Sequence, residues 1–141
     1  MAFKPDVPAS AVMTIALLVL GVAGGATSVS VLKWQSAKDA RTNAMELTHG
    51  DPDRGERVWR QYACGACHAI LAVDEASGKV GPPLKGIGGR ALLAGHEPND
   101  PTHLIAWIQH PQAVEPGVGM PELGLTDGQA RDVAAYLYTK N

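Results

Sequence analysis

The chain contains two cysteines, Cys64 and Cys67, and a histidine, His68, directly follows the second one. Two cysteines are too few for a disulfide framework in a chain of 141 residues. The Cys-x-x-Cys-His pattern is the attachment sequence of c-type haem, in which both thiols form thioethers with the porphyrin and the imidazole binds the iron. The motif therefore predicts a domain built around one covalently attached haem c.

Two other interpretations of the cysteine pair are a structural zinc site and a redox-active dithiol. Zinc would need a second ligand pair, but there is no further cysteine, and His103 and His110 fit the usual spacing only weakly. A thioredoxin-like dithiol would lie in a βαβ unit and would not require His68 after the second cysteine. The sequence therefore favours haem over both.

Length and charge restrict the class of protein further. A chain of 141 residues accommodates one small domain and an appendage. The formal net charge is -2 and Lys and Arg do not cluster, so nucleic acid is not expected as a partner. From Asp51 onward, eight Lys and Arg face eleven Asp and Glu, which predicts an acidic domain without a basic docking face.

The N-terminal part of the chain carries a long apolar run. Residues 9–32 contain no charged side chain and match the roughly 20 residues that a helix needs to cross a bilayer. A cleaved signal peptide is the alternative, because residues 21–26 are small enough to imitate a cleavage site. The apolar run continues to Leu32, however, and Lys4 is the only basic side chain before it. We therefore expect a short leading segment, 1–8, and an uncleaved anchor helix.

Residues 33–50 form a polar connector whose composition is compatible with continued helix. Lys33, Lys38 and Arg41 outnumber Lys4, and this charge bias alone would place the following domain in the cytoplasm. The haem attachment motif, in contrast, resembles that of proteins whose haem is attached on the outer face of the bacterial cytoplasmic membrane. We give the haem motif priority and expect the domain on the periplasmic side.

Residues 51–141 have the pattern of a compact, mostly α-helical domain. Asp51 and Pro52 resemble a helix entrance, and apolar periodicity predicts a first helix over 54–63. A second helix is predicted over 103–110, which Pro111 is expected to stop. Thr126 is a suitable N-cap for a final helix. The segment between the first two helices is rich in Gly and Pro, and no strand pattern is evident, so long loops are predicted.

Several motifs of this domain resemble those of class I cytochromes c. Gly55 and Trp59 match a glycine and an aromatic residue of the family's first helix, and Tyr136 and Leu137 match its last helix. The resemblance covers residues 55–138. It implies an all-α fold in which three main helices and long loops enclose one haem.

The same resemblance implies roles for individual residues near the iron. The segment Gly81–Leu84 is similar to the family's Gly-Pro-x-Leu, in which the Pro82 carbonyl would accept the ring N–H of His68 and Leu84 would pack on the haem. Met120 lies in a loop before the last helix, as the family's distal methionine does, and is the expected sixth ligand. Another histidine is the alternative. Ligation by His and Met leaves no open iron position, as in an electron carrier.

Arg90 and Trp107 are the candidates for managing the haem propionates. Arg90 follows a glycine, as in a family Gly-Arg pair whose guanidinium offsets propionate charge. Trp107 could donate its indole N–H, as the family's helical tryptophan does. The competing interpretations are a solvated loop cation for Arg90 and an ordinary core aromatic for Trp107.

Residues 104–139 are also similar to cytochrome c domains associated with subunit II of haem-copper oxidases, although a copper-binding portion is missing from this sequence. The resemblance implies a one-electron relay, free or as a bound subunit, from a quinol-oxidising complex to a terminal oxidase. A photosynthetic chain could use the same design. Two alternatives stay open: a membrane-bound haem sensor or ligand-binding module, and an assembly subunit whose haem does not turn over.

Overall fold

The computed structural model describes residues 8–70 and 77–140. In this part of the chain the helices, in order, are α1 (Ala9–Thr48), α2 (Pro52–Gln61), α3 (Pro101–Gln109), α4 (Pro111–Val114) and α5 (Asp127–Tyr138). Short 3₁₀ turns occur at Cys64–Ala66 and Ile87–Gly89. The chain forms two compact units, Met1–Ala37 and Lys38–Asn141.

In the described residues, the first unit contains the N-terminal part of α1. By its length and composition, this helix could cross a membrane, and the apolar side chains along it are exposed. Its hydroxyl side chains bond within the helix; for example, Thr14 donates to the Ser10 carbonyl at 2.8 Å and Ser28 donates to the Gly24 carbonyl at 2.8 Å. The expected anchor, 9–32, is therefore helical throughout, and the helix continues beyond it.

The second unit begins inside α1, because the end of this helix packs on the domain. Ala44 and Thr48 are buried, with 1% and 0% of their surface exposed. The Thr48 hydroxyl donates to the Ala44 carbonyl at 2.7 Å and accepts the Gly50 N–H at 3.1 Å. The predicted connector, 33–50, is therefore helical over most of its length, and its second half is part of the compact unit.

The crossing of α2 and α5 forms the centre of the domain. A Cβ atom on Gly55 would lie within 2 Å of the Asp132 carbonyl oxygen, so only glycine permits this approach. The Asp132 carboxylate accepts the Asp51 N–H at 2.7 Å and forms an ion pair with Arg54. The rings of Trp59 and Tyr136 pack at a centroid distance of 6.0 Å. These contacts join residues that are about 80 positions apart in the sequence.

Helix boundaries follow local capping chemistry. The Asp51 side chain caps α2 and the Asp100 side chain caps α3, which begins two residues before the predicted start. Thr126 forms the expected cap of α5, as a capping box with Gln129. Pro111 does more than stop α3: it is the first residue of α4, a position where its missing N–H has no helical partner to lose.

A small hairpin departs from the prediction of helices and loops. β1 (Leu92–Leu93) and β2 (Glu97–Pro98) pair antiparallel, with Leu92 opposite Pro98. Ala94 and Gly95 adopt positive φ in the tight connection. Strands of two residues are too short to produce an alternating pattern, which is why the sequence did not predict them.

Candidate haem site

The cysteine motif lies on a tight turn directly after α2. Ala63 adopts a left-handed conformation with φ of 51°, and this residue redirects the chain into the 3₁₀ turn. The Cys64 carbonyl then accepts the N–H groups of Cys67 at 3.2 Å and of His68 at 3.0 Å. The turn brings two sulfur atoms and an imidazole together on one short segment.

A second loop, residues 77–84, runs along this turn and holds it. Gly78 donates its N–H to the Gly65 carbonyl at 3.1 Å, and Gly81 donates to the Cys67 carbonyl at 2.9 Å. A Cβ atom on Gly81 would lie 2.4 Å from Cε1 of His68, so the loop backbone lies directly against the imidazole. Glycine is required here because any side chain would displace the ring.

The Pro82 carbonyl fixes the orientation of His68. The His68 Nδ1 atom lies 2.8 Å from this oxygen. A carbonyl oxygen can only accept, so Nδ1 must carry the proton, and Nε2 retains the lone pair that binds a metal. The ring also packs near Trp59, with a centroid distance of 6.5 Å. The contact that the Gly-Pro-x-Leu resemblance predicted is therefore present in the structure.

The two thiols differ in their surroundings. Cys64 is half-buried against the core, whereas Cys67 is exposed. Burial raises the pKa of the Cys64 thiol to about 11, so this group is neutral at physiological pH. A neutral thioether can replace a neutral thiol at this position without adding a charge to the core.

Half-exposed apolar side chains line the border of the buried core. Each of them packs against the buried cluster and keeps part of its surface exposed. They are Tyr62, Cys64, Leu84, Trp107 and Leu123. Leu84 is held in place by its N–H, which donates to the Ala69 carbonyl at 2.8 Å. An apolar border, two thiols and an imidazole with a free Nε2 fit the chemistry of a covalently bound haem.

Arg90 folds back onto the loop that carries Pro82 and Leu84. Its Nη2 atom donates to the Pro83 carbonyl at 2.5 Å and to the Lys85 carbonyl at 3.0 Å. The backbone around it is held by Asn99, which the sequence did not single out. Asn99 Nδ2 donates to the carbonyls of Ile87 and Arg90, at 2.5 and 2.9 Å. In this structure the guanidinium supports the loop.

Met120 lies in the loop between α4 and α5 and is partly buried. Its carbonyl accepts a hydrogen bond from the Gln112 side chain at 2.8 Å. Trp107 lies on α3, also partly buried. The structure therefore brings Cys64, Cys67 and His68 together on the cysteine turn, while Met120 and Trp107 belong to other elements. Sequence reasoning missed Gln112, because a glutamine after a proline carries no recognisable signal.

Two thiols and a metal-competent imidazole on one turn, beside an apolar border within a helical domain, define a haem protein of the c type. Comparison with known families agrees with this class. The family model described as cytochrome c matches residues 52–140, and the chain belongs to that family. The predicted all-α fold of class I cytochromes c is thereby confirmed, and it follows a helix that could span a membrane. The domain is an electron-transferring haem protein, and the family implies haem c as its cofactor.

Individual relatives agree with the family. Cytochrome c2 of Rhodopila globiformis is 34% identical over 105 residues, covering 64% of this chain and 93% of that protein. Cytochrome c2 of Rhodomicrobium vannielii is 33% identical over 114 residues, covering 70% and 86%. Cytochrome c oxidase subunit 2 of Alkalihalophilus pseudofirmus is 33% identical over 76 residues, covering 54% of this chain. The chain spans only 21% of that oxidase subunit.

Proposed function

We propose that this chain is a membrane-tethered mono-haem cytochrome c that transfers single electrons in a respiratory chain. Its donor is a quinol-oxidising complex and its acceptor a terminal oxidase, to which it binds either transiently or as a subunit. The observation that carries the proposal is the hydrogen bond of 2.8 Å from His68 to Pro82, which leaves Nε2 as an iron ligand beside two thiols.

The residues have the following roles in this proposal. Cys64 and Cys67 would form the thioethers that hold the haem, and His68 and Met120 would bind its iron. The haem would supply a one-electron iron couple, and these two side-chain ligands would leave no open position on the metal. Substrate therefore has no site at the iron, and the chain carries electrons without catalysing a reaction of its own.

The surrounding residues support these ligands. Pro82 fixes the tautomer of His68 and increases electron donation from the ring to the iron. Leu84 would pack against the haem. Arg90 and Trp107 supply N–H donors for the propionates, since the Arg90 guanidinium has nitrogen atoms beyond the Nη2 that bonds the Pro83 and Lys85 carbonyls.

The location follows from α1 and from the attachment chemistry. We place the N-terminal part of α1 across the bacterial cytoplasmic membrane and the haem domain on its periplasmic side. A tether raises the local concentration of partner sites to roughly the millimolar range, so an acidic domain can function without electrostatic steering. Similarity to an oxidase subunit 2 supports the terminal oxidase as acceptor.

The test of the proposal is Met120→Ala in the full-length haem-loaded protein. We expect the variant to lose the weak red absorption of methionine-ligated ferric haem, to bind carbon monoxide when reduced, and to have a reduction potential lower by on the order of 100 mV. Met45→Ala is the control, because Met45 is exposed on α1. An unchanged spectrum in Met120→Ala would exclude Met120 as the ligand. Carbon monoxide binding by the reduced wild type would instead favour the haem sensor.

The partners are tested by isolation from native membranes in mild detergent. We expect the protein to remain with the membrane after alkaline washing and to co-purify with a terminal oxidase or a quinol-oxidising complex. Its haem should be reduced when quinol is added and reoxidised by oxygen through the oxidase. Recovery in the soluble fraction would contradict the tether, and failure of quinol to reduce the haem would contradict the proposed donor.

A further inference from the structure

The side chain of Gln112 is bonded to the loop that carries Met120. Its Nε2 atom donates to the Val118 carbonyl at 2.7 Å and to the Met120 carbonyl at 2.8 Å. Its Oε1 atom accepts the Gly117 N–H at 3.1 Å. Both kinds of polar group on one amide are thus used within a segment of four residues, 117–120.

The backbone of Gln112 holds the far side of the same loop. Its N–H donates to Oε1 of Glu122 at 3.1 Å. This N–H lies in the first turn of α4, where no helical carbonyl is available to accept it, and Pro111 before it is buried. The loop is therefore fixed on both sides of Met120 to one residue of a short helix.

The loop depends on such contacts because it has little structure of its own. Between α4 and α5 it contains no helix or strand, and Gly117 and Gly124 adopt positive φ. Glycine-rich segments of this kind sample many backbone conformations when nothing holds them. The Gln112 hydrogen bonds select one of these conformations and so fix the backbone position of Met120.

We propose that Gln112 is a positioning residue for Met120 as the sixth iron ligand. Gln112 does not contact the iron; it holds the Met120 carbonyl and thereby makes the thioether sulfur a stronger competitor against external ligands. The inference rests on the proposed function, in which Met120 binds the iron. It goes further by naming the residue that sets the strength of that bond.

The experiment measures the binding of imidazole to the ferric, full-length protein in detergent. Gln112→Leu removes all three side-chain hydrogen bonds, and Gln112→Glu keeps an acceptor for Gly117 but loses both donors. We expect the imidazole association constant to rise at least about fivefold in each variant, since even one lost hydrogen bond corresponds to roughly a factor of five. The red absorption of methionine-ligated ferric haem should weaken in parallel, and the reduction potential should fall.

Gln109 is the matched control position, because it is also partly buried and supplies none of these hydrogen bonds. Gln109→Leu and Gln109→Glu should leave the association constant within about twofold of wild type, an effect smaller than one hydrogen bond. If the Gln112 variants behave like these controls while Met120→Ala raises the constant, the role of Gln112 is wrong and Met120 stands as the ligand. If Met120→Ala also changes nothing, both assignments fall.

A measurement on the wild type covers the case in which the Gln112 variants do not fold. In the ferrous protein, the side-chain amide protons of Gln112 should exchange with solvent at least about tenfold more slowly than those of Gln109, because two carbonyls hold them. Equal exchange rates for the two side chains would overturn the inference without any substitution.

Discussion

At the scale of single residues, the Asp51 carboxylate makes the stability of the N-terminus of α2 depend on pH. Hydrogen bonds from the backbone N–H groups of Arg54 and Asp53, together with the Arg54 guanidinium, lower the pKa of the Asp51 carboxyl. A lowered pKa means that Asp51 stabilises the fold when ionised, above its unfolded pKa of about 4. This contribution is lost as the pH falls through the lower, folded value.

Asp51→Asn should therefore destabilise the domain in a pH-dependent manner. Asparagine can still cap α2, so only the contribution of the charge is lost, about 0.5 kcal/mol at pH 7. The difference from wild type should shrink as the pH falls below about 4 and the wild-type carboxyl becomes protonated in the folded protein. Urea unfolding of both proteins between pH 7 and pH 3 measures this difference in the free energy of unfolding. Asp39→Asn is the control, because Asp39 is exposed on α1. A difference that grows towards low pH would contradict the assignment.

The candidate site shows which single residues a sequence can reveal. Cys64, Cys67 and His68 are neighbours in the chain, so their pattern alone predicts haem attachment. Gln112 and Asn99 are different, because their importance lies in carbonyl groups of other segments, which only the folded backbone brings within hydrogen-bond distance. Met120, Arg90 and Trp107 were predicted from the family resemblance, and their roles towards haem remain proposals.

At the scale of helices, the close crossing of α2 and α5 predicts that replacing Gly55 by alanine destabilises the domain, whereas helix propensity alone predicts a gain in stability. Glycine inside an exposed helix is about 1 kcal/mol worse than alanine, so Gly55→Ala would ordinarily stabilise α2. Here the new Cβ would overlap the Asp132 carbonyl and lie 2.8 Å from Cβ of Tyr136. We expect a loss of about 3 kcal/mol, because the helices must separate.

The matched control for this change is Gly128→Ala in α5, where an added Cβ meets nothing within 4 Å. That variant should be unchanged or more stable by up to about 1 kcal/mol. Thermal unfolding of the haem-loaded proteins compares the two substitutions directly. If Gly55→Ala were as stable as Gly128→Ala, the close crossing of α2 and α5 would be wrong.

Local chemistry made most helices predictable, and its limits explain the errors. Thr126 predicts the start of α5, because an N-cap side chain bonds to backbone groups within three residues of it. Pro111 was interpreted as a stop, but a proline ends one helix and suits the first position of another equally well, so α4 was missed. The pairing of β1 and β2 was missed because two-residue strands show no periodicity.

At the scale of the whole molecule, the end of α1 packs on residues that lie far along the chain. The sequence predicts a connector over 33–50 followed by the domain, and the compact unit that contains the end of α1 begins at Lys38. The end of α1 belongs to this unit because Thr48 is buried and its carbonyl accepts a hydrogen bond from Arg131 at 3.4 Å. The polar sequence at the end of α1 does not indicate a contact with residues about 80 positions further along the chain, so this packing could not be predicted.

The end of α1 should contribute to the stability of the haem domain. A fragment of residues 51–141 should be less stable than one of residues 38–141 by about 2 kcal/mol, because it exposes surface that Ala44 and Thr48 cover. The ion pair of Arg41 with Asp53 adds little, since both side chains are largely exposed, so Arg41→Ala in the longer fragment should cost under about 1 kcal/mol. Chemical unfolding of the three haem-loaded proteins distinguishes these contributions. Equal stability of the two fragments would show that α1 ends as a passive tether, and a large effect of Arg41→Ala would show that charge rather than burial holds it.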